Sequence, residues 1–226
     1  MSAIFVTGTD TGVGKTLVSK ALVEYYISQG LNVSAMKPIA SGAEKTPSGL
    51  RNEDADILLN AINTNFSYSQ INPYVFEPPI APHIAANREG VEIDPNVLNK
   101  AYEQLLNNSD KVIVEGAGGW QVPLNKALSL ADWVSTKKWP VILVVGIRLG
   151  CINHARLTYL DILSKKNPLL GWVANIVEPD VSNVDEIIEA LSESIAAPML
   201  GKIPFLTQAQ RTDLTPYLPG LATEIA

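Results

Sequence analysis

Apolar residues along this chain come in two rhythms. Short, nearly unbroken apolar runs at Ala3–Thr7, Asn32–Lys37, Lys111–Glu115, Pro140–Gly146, Leu170–Val177 and Pro198–Ile203 have the length and β-branched content of strands. Between them lie longer stretches with helical spacing: Thr16–Ser28, closed by Gly30, Asp94–Asn108, opened by an acidic cap, and then Leu128–Lys138, Asn153–Ser164 and Val184–Ile195. Strands that are apolar on both faces must be covered on both faces. Their alternation with helices therefore predicts an α/β fold: a doubly wound, mostly parallel sheet with helices on both sides, a three-layer sandwich. No repeat, low-complexity tract or linker divides the chain. Its 226 residues fit a single domain spanning 1–226, with two small domains the other possibility. The Gly/Pro/Ser-rich stretch Pro38–Asn52 follows a strand and reads as a functional loop, not a boundary.

Charge and composition narrow the classes. With 46% apolar and 18% charged residues the chain is not disordered. Seventeen basic against 23 acidic side chains give a net charge of −6, which argues against a coat for nucleic acid or an anionic membrane, though not against a local phosphate pocket. One cysteine, Cys151, excludes a disulfide framework and a multi-cysteine metal centre. Two histidines, His83 and His154, speak against a histidine-rich one. The start Met1–Gly8 has no basic, cleavable leader, and no apolar run approaches the roughly 20 residues of a membrane span. The expectation is a cytoplasmic protein.

The chemistry starts at Gly8-Thr9-Asp10-Thr11-Gly12-Val13-Gly14-Lys15-Thr16, between the first strand and the first helix. This is the context of a phosphate-binding P-loop: main-chain N–H groups close around phosphate oxygens, and the helix N-terminus adds partial positive charge. Lys15 would reach the β- and γ-phosphates and the Thr16 hydroxyl would ligate Mg²⁺. The spacing deviates from the standard motif, with five residues instead of four between Gly8 and Gly14. Glu115 ends an apolar strand where a Walker-B-like carboxylate sits, and Gly116-Ala117-Gly118-Gly119 follows it. The competing reading of Glu115 is a solvated strand-end carboxylate. Asp54 is either a second metal ligand or a helix-start carboxylate favoured by the macrodipole. Lys37 is either a ligand-facing lysine at the carboxyl edge of the sheet or a solvated strand end. No complete Asn-Lys-x-Asp guanine motif occurs at Asn99 or Asn125. Asn175 could pair with an adenine edge or merely close a turn. Cys151 and His154 read as a packed thiol and a surface or interface histidine, and the four tryptophans read mostly as core, with Trp120 near the glycine loop.

Five ordered motifs resemble the dethiobiotin synthetase family: Val6–Thr16, Lys37-Pro38-Ile39-Ala40-Ser41-Gly42, Val114–Gly119, Leu149–His154 and Gly171-Trp172-Val173-Ala174-Asn175. The resemblance covers nearly the whole chain and fades after about Leu206; Gly12 stands where some members carry a larger, acidic residue. It implies a P-loop NTPase-like fold and a ligase that converts 7,8-diaminononanoate, CO₂ and ATP into dethiobiotin, ADP and phosphate, through a carbamate and a carbamic–phosphoric anhydride. It also implies roles. Lys15, Lys37 and Thr11 serve the phosphate and carbamate; Ser41 and Lys37 the substrate's amine end; Thr16, Asp54 and Glu115 the Mg²⁺. Gly12, Val13, Gly14, Leu17, Gly116, Ala117, Gly118, Asn175, Ile176, Pro204, Phe205 and Leu206 join Lys15 and Thr16 around the nucleotide. Gly150, Cys151, Ile152 and Asn153 of a second subunit would bind the substrate's distal carboxylate, making the protein a homodimer with the substrate site at its interface. The competing readings are a cobyrinate-type synthetase, for whose glutamine-hydrolysing domain the chain has no room, and a nucleotide-switch ATPase, whose early loop lysine is absent from Thr9-Asp10-Thr11.

Overall fold

A computed structural model describes residues 3–207, 210 and 212–224. Six parallel strands form the central sheet: β1 (Ala3–Gly8), β2 (Val33–Met36), β7 (Lys111–Glu115), β8 (Val141–Ile147), β9 (Leu169–Ile176) and β10 (Met199–Ile203), in the spatial order β10-β9-β8-β1-β7-β2. All six runs read from the apolar pattern are strands, and their ends differ by at most one residue.

The period-two alternation of a strand explains the layers. Along β1, Ala3 and Phe5 point to one face while Ile4 and Val6 point to the other. The second face is covered by α1 (Lys15–Ser28), α2 (Glu53–Ala61) and α9 (Gly220–Glu224), which supply Val18, Leu22, Leu58 and Leu221. The first is covered by α5 (Pro95–Leu106), α6 (Leu130–Lys137), α7 (Cys151–Ser164) and α8 (Val184–Ser194). Trp120, Trp133, Trp139 and Trp172 are all buried. At roughly 1.5–3 kcal/mol for each large apolar side chain fully removed from water, this two-faced core is the main stabilising term.

The connection from β2 to β7 is more structured than the loop expected over Pro38–Asn52. It contains β3 (Ile39–Ser41), paired in parallel with β6 (Tyr74–Phe76), and the hairpin of β4 (Glu44–Thr46) and β5 (Gly49–Arg51). The helices α2, α3 (Tyr68–Ile71) and α4 (Pro82–Arg88), followed by α5, complete it. The three-residue strands β3–β6 and the four-residue α3 carry too few positions for a periodic signal, which is why the pattern did not reveal them. On the outer edge of β2, Asn63 accepts from Val33 N–H at 2.8 Å, Thr64 donates to the Val33 carbonyl at 3.2 Å, and Lys37 N–H donates to the Ile71 carbonyl at 2.9 Å.

Because the strands are parallel, every carboxyl end lies at one edge of the sheet. The chain runs from β1 outward to β2, returns to β7, then crosses to β8 on the other side. Beside β1 the connections therefore diverge, the place where such sheets open a ligand crevice. The phosphate loop follows β1, Lys37 follows β2, Glu115 ends β7 opposite Val6, and Asn175 lies in β9 opposite Gly146 of β8.

Candidate active site

A cavity of about 870 Å³ opens at this crevice. Of the residues expected at the site, Thr11, Gly12, Gly14, Lys15, Thr16, Leu17, Lys37, Ser41, Asp54, Ala117, Gly118, Asn175, Ile176, Pro204, Phe205 and Leu206 line it. Val13, Glu115 and Gly116 are buried and do not line it. Gly150, Cys151, Ile152 and Asn153 line a separate cavity of about 530 Å³ on the same chain, so in one protomer they are apart from the phosphate loop.

The loop is held open by its glycines and by one asparagine. Gly14 caps α1 with φ 93°, a left-handed conformation, and a Cβ there would stand 2.3 Å from Asn175 Nδ2. That same Nδ2 donates to the Val13 carbonyl at 2.8 Å, buried. One of the two amide N–H donors of Asn175 is thus committed to the loop, which leaves the other and the Oδ1 acceptor. Gly12 also has positive φ, 74°, but nothing stands within 4 Å of the place its Cβ would take. Arg148, at the end of β8, pairs with Asp10 at 2.5 Å and fastens the loop from the other side.

Both lysines are buried. Lys15 Nζ bridges two loops, donating to the Asp10 carbonyl at 3.0 Å and the Gly118 carbonyl at 2.6 Å. Burial above all, and then the positive charge of Lys37, lower its pKa to about 8, against the opposing pull of Glu115, Asp54 and Asp10. Lys37 Nζ lies between two carboxylates, 2.7 Å from Asp54 Oδ2 and 2.5 Å from Glu115 Oε1. Burial pulls its pKa down, but the carboxylates of Glu115 and Asp54 outweigh it and leave the ammonium form favoured beyond the ordinary lysine. Asp54 is the mirror case: burial pushes it up, while Lys37 foremost, then Thr16 and Lys15, hold its carboxyl below the usual range. The solvated-end readings of Lys37 and Glu115 are set aside by their burial, 3% and 0% exposed. Asp54 is a first-turn carboxylate of α2, the helix that Asn52 caps, and it also pairs with Lys37 in this cluster.

These oxygens fit a divalent metal. Thr16 Oγ1 donates to Glu115 Oε1 at 2.9 Å, while Glu115 Oε2 is buried without a hydrogen-bond partner, a costly state for a carboxylate oxygen. One hydroxyl and two carboxylates are hard ligands, too few for a closed cage; Mg²⁺ characteristically takes one or two carboxylates and completes its octahedron with phosphate and water. Among the described residues there is no group of three or more histidine, cysteine, aspartate or glutamate side chains able to hold a metal unaided.

Several cavity residues escaped the sequence reading. Asn52, Lys20, Gln121 and the run Pro79-Ile80-Ala81-Pro82 all line it. The prolines around Ile80 are a visible signal of a rigid turn, but not of the direction it faces. Asp161 of α7 accepts from Trp120 Nε1 at 2.7 Å and Gln121 Nε2 at 2.5 Å, which anchors the end of the glycine loop beside the cavity.

A family model described as "AAA domain" matches residues 2–212. The ATP-dependent dethiobiotin synthetase BioD of Vibrio vulnificus strain YJ016 is 47% identical over 218 residues, covering 96% of each chain. The chain belongs to the dethiobiotin synthetase family. A second BioD, from Pseudomonas aeruginosa strain LESB58, is 46% identical over 219 residues and again covers 96% of each chain. Among solved structures, the MinD cell division protein of Aquifex aeolicus superposes with a TM-score of 0.54 at 17% identity, covering 98% of this chain and 93% of that one. A ParA family ATPase from Chlorobium tepidum TLS gives 0.53 at 14%, covering 99% and 93%. These two likenesses concern the fold alone. They place this dethiobiotin synthetase family member on the α/β scaffold expected from its pattern. No helix of the described residues is long and apolar enough to cross a membrane.

Proposed function

We propose that this chain is the Mg²⁺- and ATP-dependent ligase that closes 7,8-diaminononanoate and CO₂ into dethiobiotin in biotin biosynthesis, acting as a single synthetase domain in the cytoplasm. The observation that carries the reading is the convergence, on one cavity, of two buried lysines and the oxygens of Thr16 and Asp54, with Glu115 buried behind them and bonded to Lys37 and Thr16, in a chain 47% identical to a named synthetase. One substrate amine adds to CO₂ and releases a proton. A carbamate oxygen then attacks the γ-phosphorus and ADP leaves. The second amine attacks the carbamoyl carbon and gives up a proton, phosphate departs with the oxygen, and the cyclic urea closes.

Each residue has a part that follows from its position. Lys15 and the N–H groups at the start of α1 hold the β- and γ-phosphates. Lys37 stands at the far side of the same cluster, where charge moves from carbamate to phosphate, and neutralises it by fixed electrostatics in a water-poor pocket. Thr11 and Ser41, both on the cavity wall, donate to the carbamate and hold the reacting amine. Thr16, Asp54 and Glu115 hold the metal, which when bound draws charge off the transferred phosphoryl group. Asn175 offers Oδ1 to the exocyclic amine of adenine, a group guanine lacks at that edge, and Phe205 flanks the base.

Along α7 the apolar Leu157, Leu160 and Leu163 are exposed, and Leu149 just before it is fully so. Leu149, Leu157 and Leu160 line the same cavity as Gly150–Asn153. A stripe of this kind on a soluble enzyme calls for a partner, and it supports a homodimer in which that segment reaches the substrate's carboxylate end across the interface. Sedimentation at micromolar concentration checks it; a monomer mass would remove the shared site.

Phosphate release with ATP, Mg²⁺ and bicarbonate should depend on the diamine and match dethiobiotin formed. Release indifferent to the diamine would sink the ligase reading. The same assay with GTP should run well below the ATP rate, and equal rates would take Asn175 out of base selection.

A further inference from the structure

Lys37 and Asp54 face each other at 2.7 Å, yet they arrive from different elements, seventeen residues apart. Something must set the register between them. A chain of short, partly buried hydrogen bonds runs from one to the other. Asn72, 2% exposed, ends α3 and donates through Nδ2 to the Lys37 carbonyl at 2.7 Å and to the Tyr74 carbonyl at 3.0 Å. Its Oδ1 accepts from the Tyr68 hydroxyl at 2.9 Å. That hydroxyl in turn accepts from Asn52 N–H at 2.8 Å. Asn52 is the N-cap of α2, its side chain accepting from Ala55 N–H and donating to the Ser41 carbonyl, both at 3.4 Å. Two residues on stands Asp54, which accepts from Lys37 Nζ. The path leaves Lys37 by its carbonyl and returns by its ammonium.

We infer that Asn72 and Tyr68 are positioning residues for the reaction: the closed circuit fixes α2, and with it Asp54, relative to Lys37, so that the metal-ligating carboxylate and the phosphate-facing ammonium keep one separation. Three features favour a device over incidental packing. The Asn72 amide makes three hydrogen bonds, two within the circuit, to Lys37 and Tyr68, and a third that ties it to Tyr74 of β6. The Tyr68 ring is clamped by the Arg51 guanidinium 4.0 Å from its centroid, and Arg51 is itself paired with Asp56 of α2. The circuit also touches the cavity wall at Ser41. Groups behind a ligand shell often carry much of its geometry, and their loss costs roughly 10–100-fold in metal affinity or activity.

This inference rests on the proposed roles of Lys37 and Asp54, so its test carries them as controls. Tyr68→Phe, Asn72→Ser and the double variant are compared with Lys37→Ala and Asp54→Asn, all in the full chain. Steady-state kinetics are read together with Mn²⁺ binding, by electron paramagnetic resonance, to protein loaded with a non-hydrolysable ATP analogue. Tyr68→Phe and Asn72→Ser should each lower kcat and Mn²⁺ affinity by roughly tenfold, with KM for ATP near the parent value. The double variant should lose little more than the worse single one, because both break one circuit. Parent-like kcat and Mn²⁺ affinity, additive losses, or a loss of nucleotide affinity in step with a fall in Tm each overturn the inference. If the two controls also behave like the parent, the assignment of Lys37 and Asp54 fails; if the controls fail and the circuit variants do not, only the circuit is wrong. Should Asn72→Ser not fold, Tyr68→Phe, which removes one hydroxyl from a half-buried ring, decides alone.

Discussion

Lys37→Ala is expected to cut turnover severely and weaken the fold together. The kinetic loss follows from placement: the ammonium is the fixed charge nearest both carboxylates, and removing one preorganised donor of this sort costs roughly 10²–10³-fold in kcat. The stability loss follows from what stays behind. Glu115 is 0% exposed, and of its two oxygens only Oε1 is satisfied, by Lys37 and Thr16. Removing one partner of a buried pair leaves an uncompensated charge and costs about 3–5 kcal/mol. The burial of Glu115 thus couples the two losses. Adding Glu115→Gln to Lys37→Ala should recover much of the stability and none of the activity, as read by urea unfolding and phosphate release. A single variant as stable as the parent would mean that Glu115 finds other compensation.

Lys15→Met is expected to lose turnover by a similar factor, roughly 10²–10³-fold, since the lysine is the cation that reaches the phosphates. It should also alter how stability depends on pH. Folding lowers the pKa of Lys15 from 10.5 to about 8, so the folded chain gives up this proton before the unfolded chain does. Below about pH 8 both states hold it and the full cost of burying the charge is present. Between about pH 8 and 10.5 the unfolded state binds more protons, so this contribution to stability rises with pH, and above 10.5 no cost remains. Across that window the parent should gain on the methionine variant by on the order of 3 kcal/mol. Urea unfolding of both proteins at several values of pH reads the difference directly; a constant gap would show that Lys15 titrates normally.

The six strands and the main helices were legible because burial on both faces leaves a continuous apolar record. Glu115 and the phosphate loop were legible because they sit at strand ends, where position along the chain and position in the sheet coincide. Asp54 was ambiguous for a physical reason: the first turn of a capped helix favours a carboxylate whether or not a ligand lies in front of it. The Asn72 circuit and the Arg148–Asp10 clasp left no trace. They join residues 35 and 138 positions apart, and nothing in either local sequence says where the other will stand. The segment Gly150–Asn153 was recognised by resemblance alone, and a single protomer holds it away from the phosphate loop.

The side chains along β2 bear on how the protein behaves when crowded. A β-sheet edge offers a row of free amides and carbonyls, and another chain can add to it as a further strand. Here Asn63 and Thr64 occupy both main-chain groups of Val33, and the Ile71 carbonyl occupies Lys37 N–H. An incoming strand would have to displace them before it could pair. The same few contacts that finish the sheet therefore act as a stopper against its growth. They should keep the folded enzyme from seeding fibrils at that edge while its strongly apolar strands remain sealed inside.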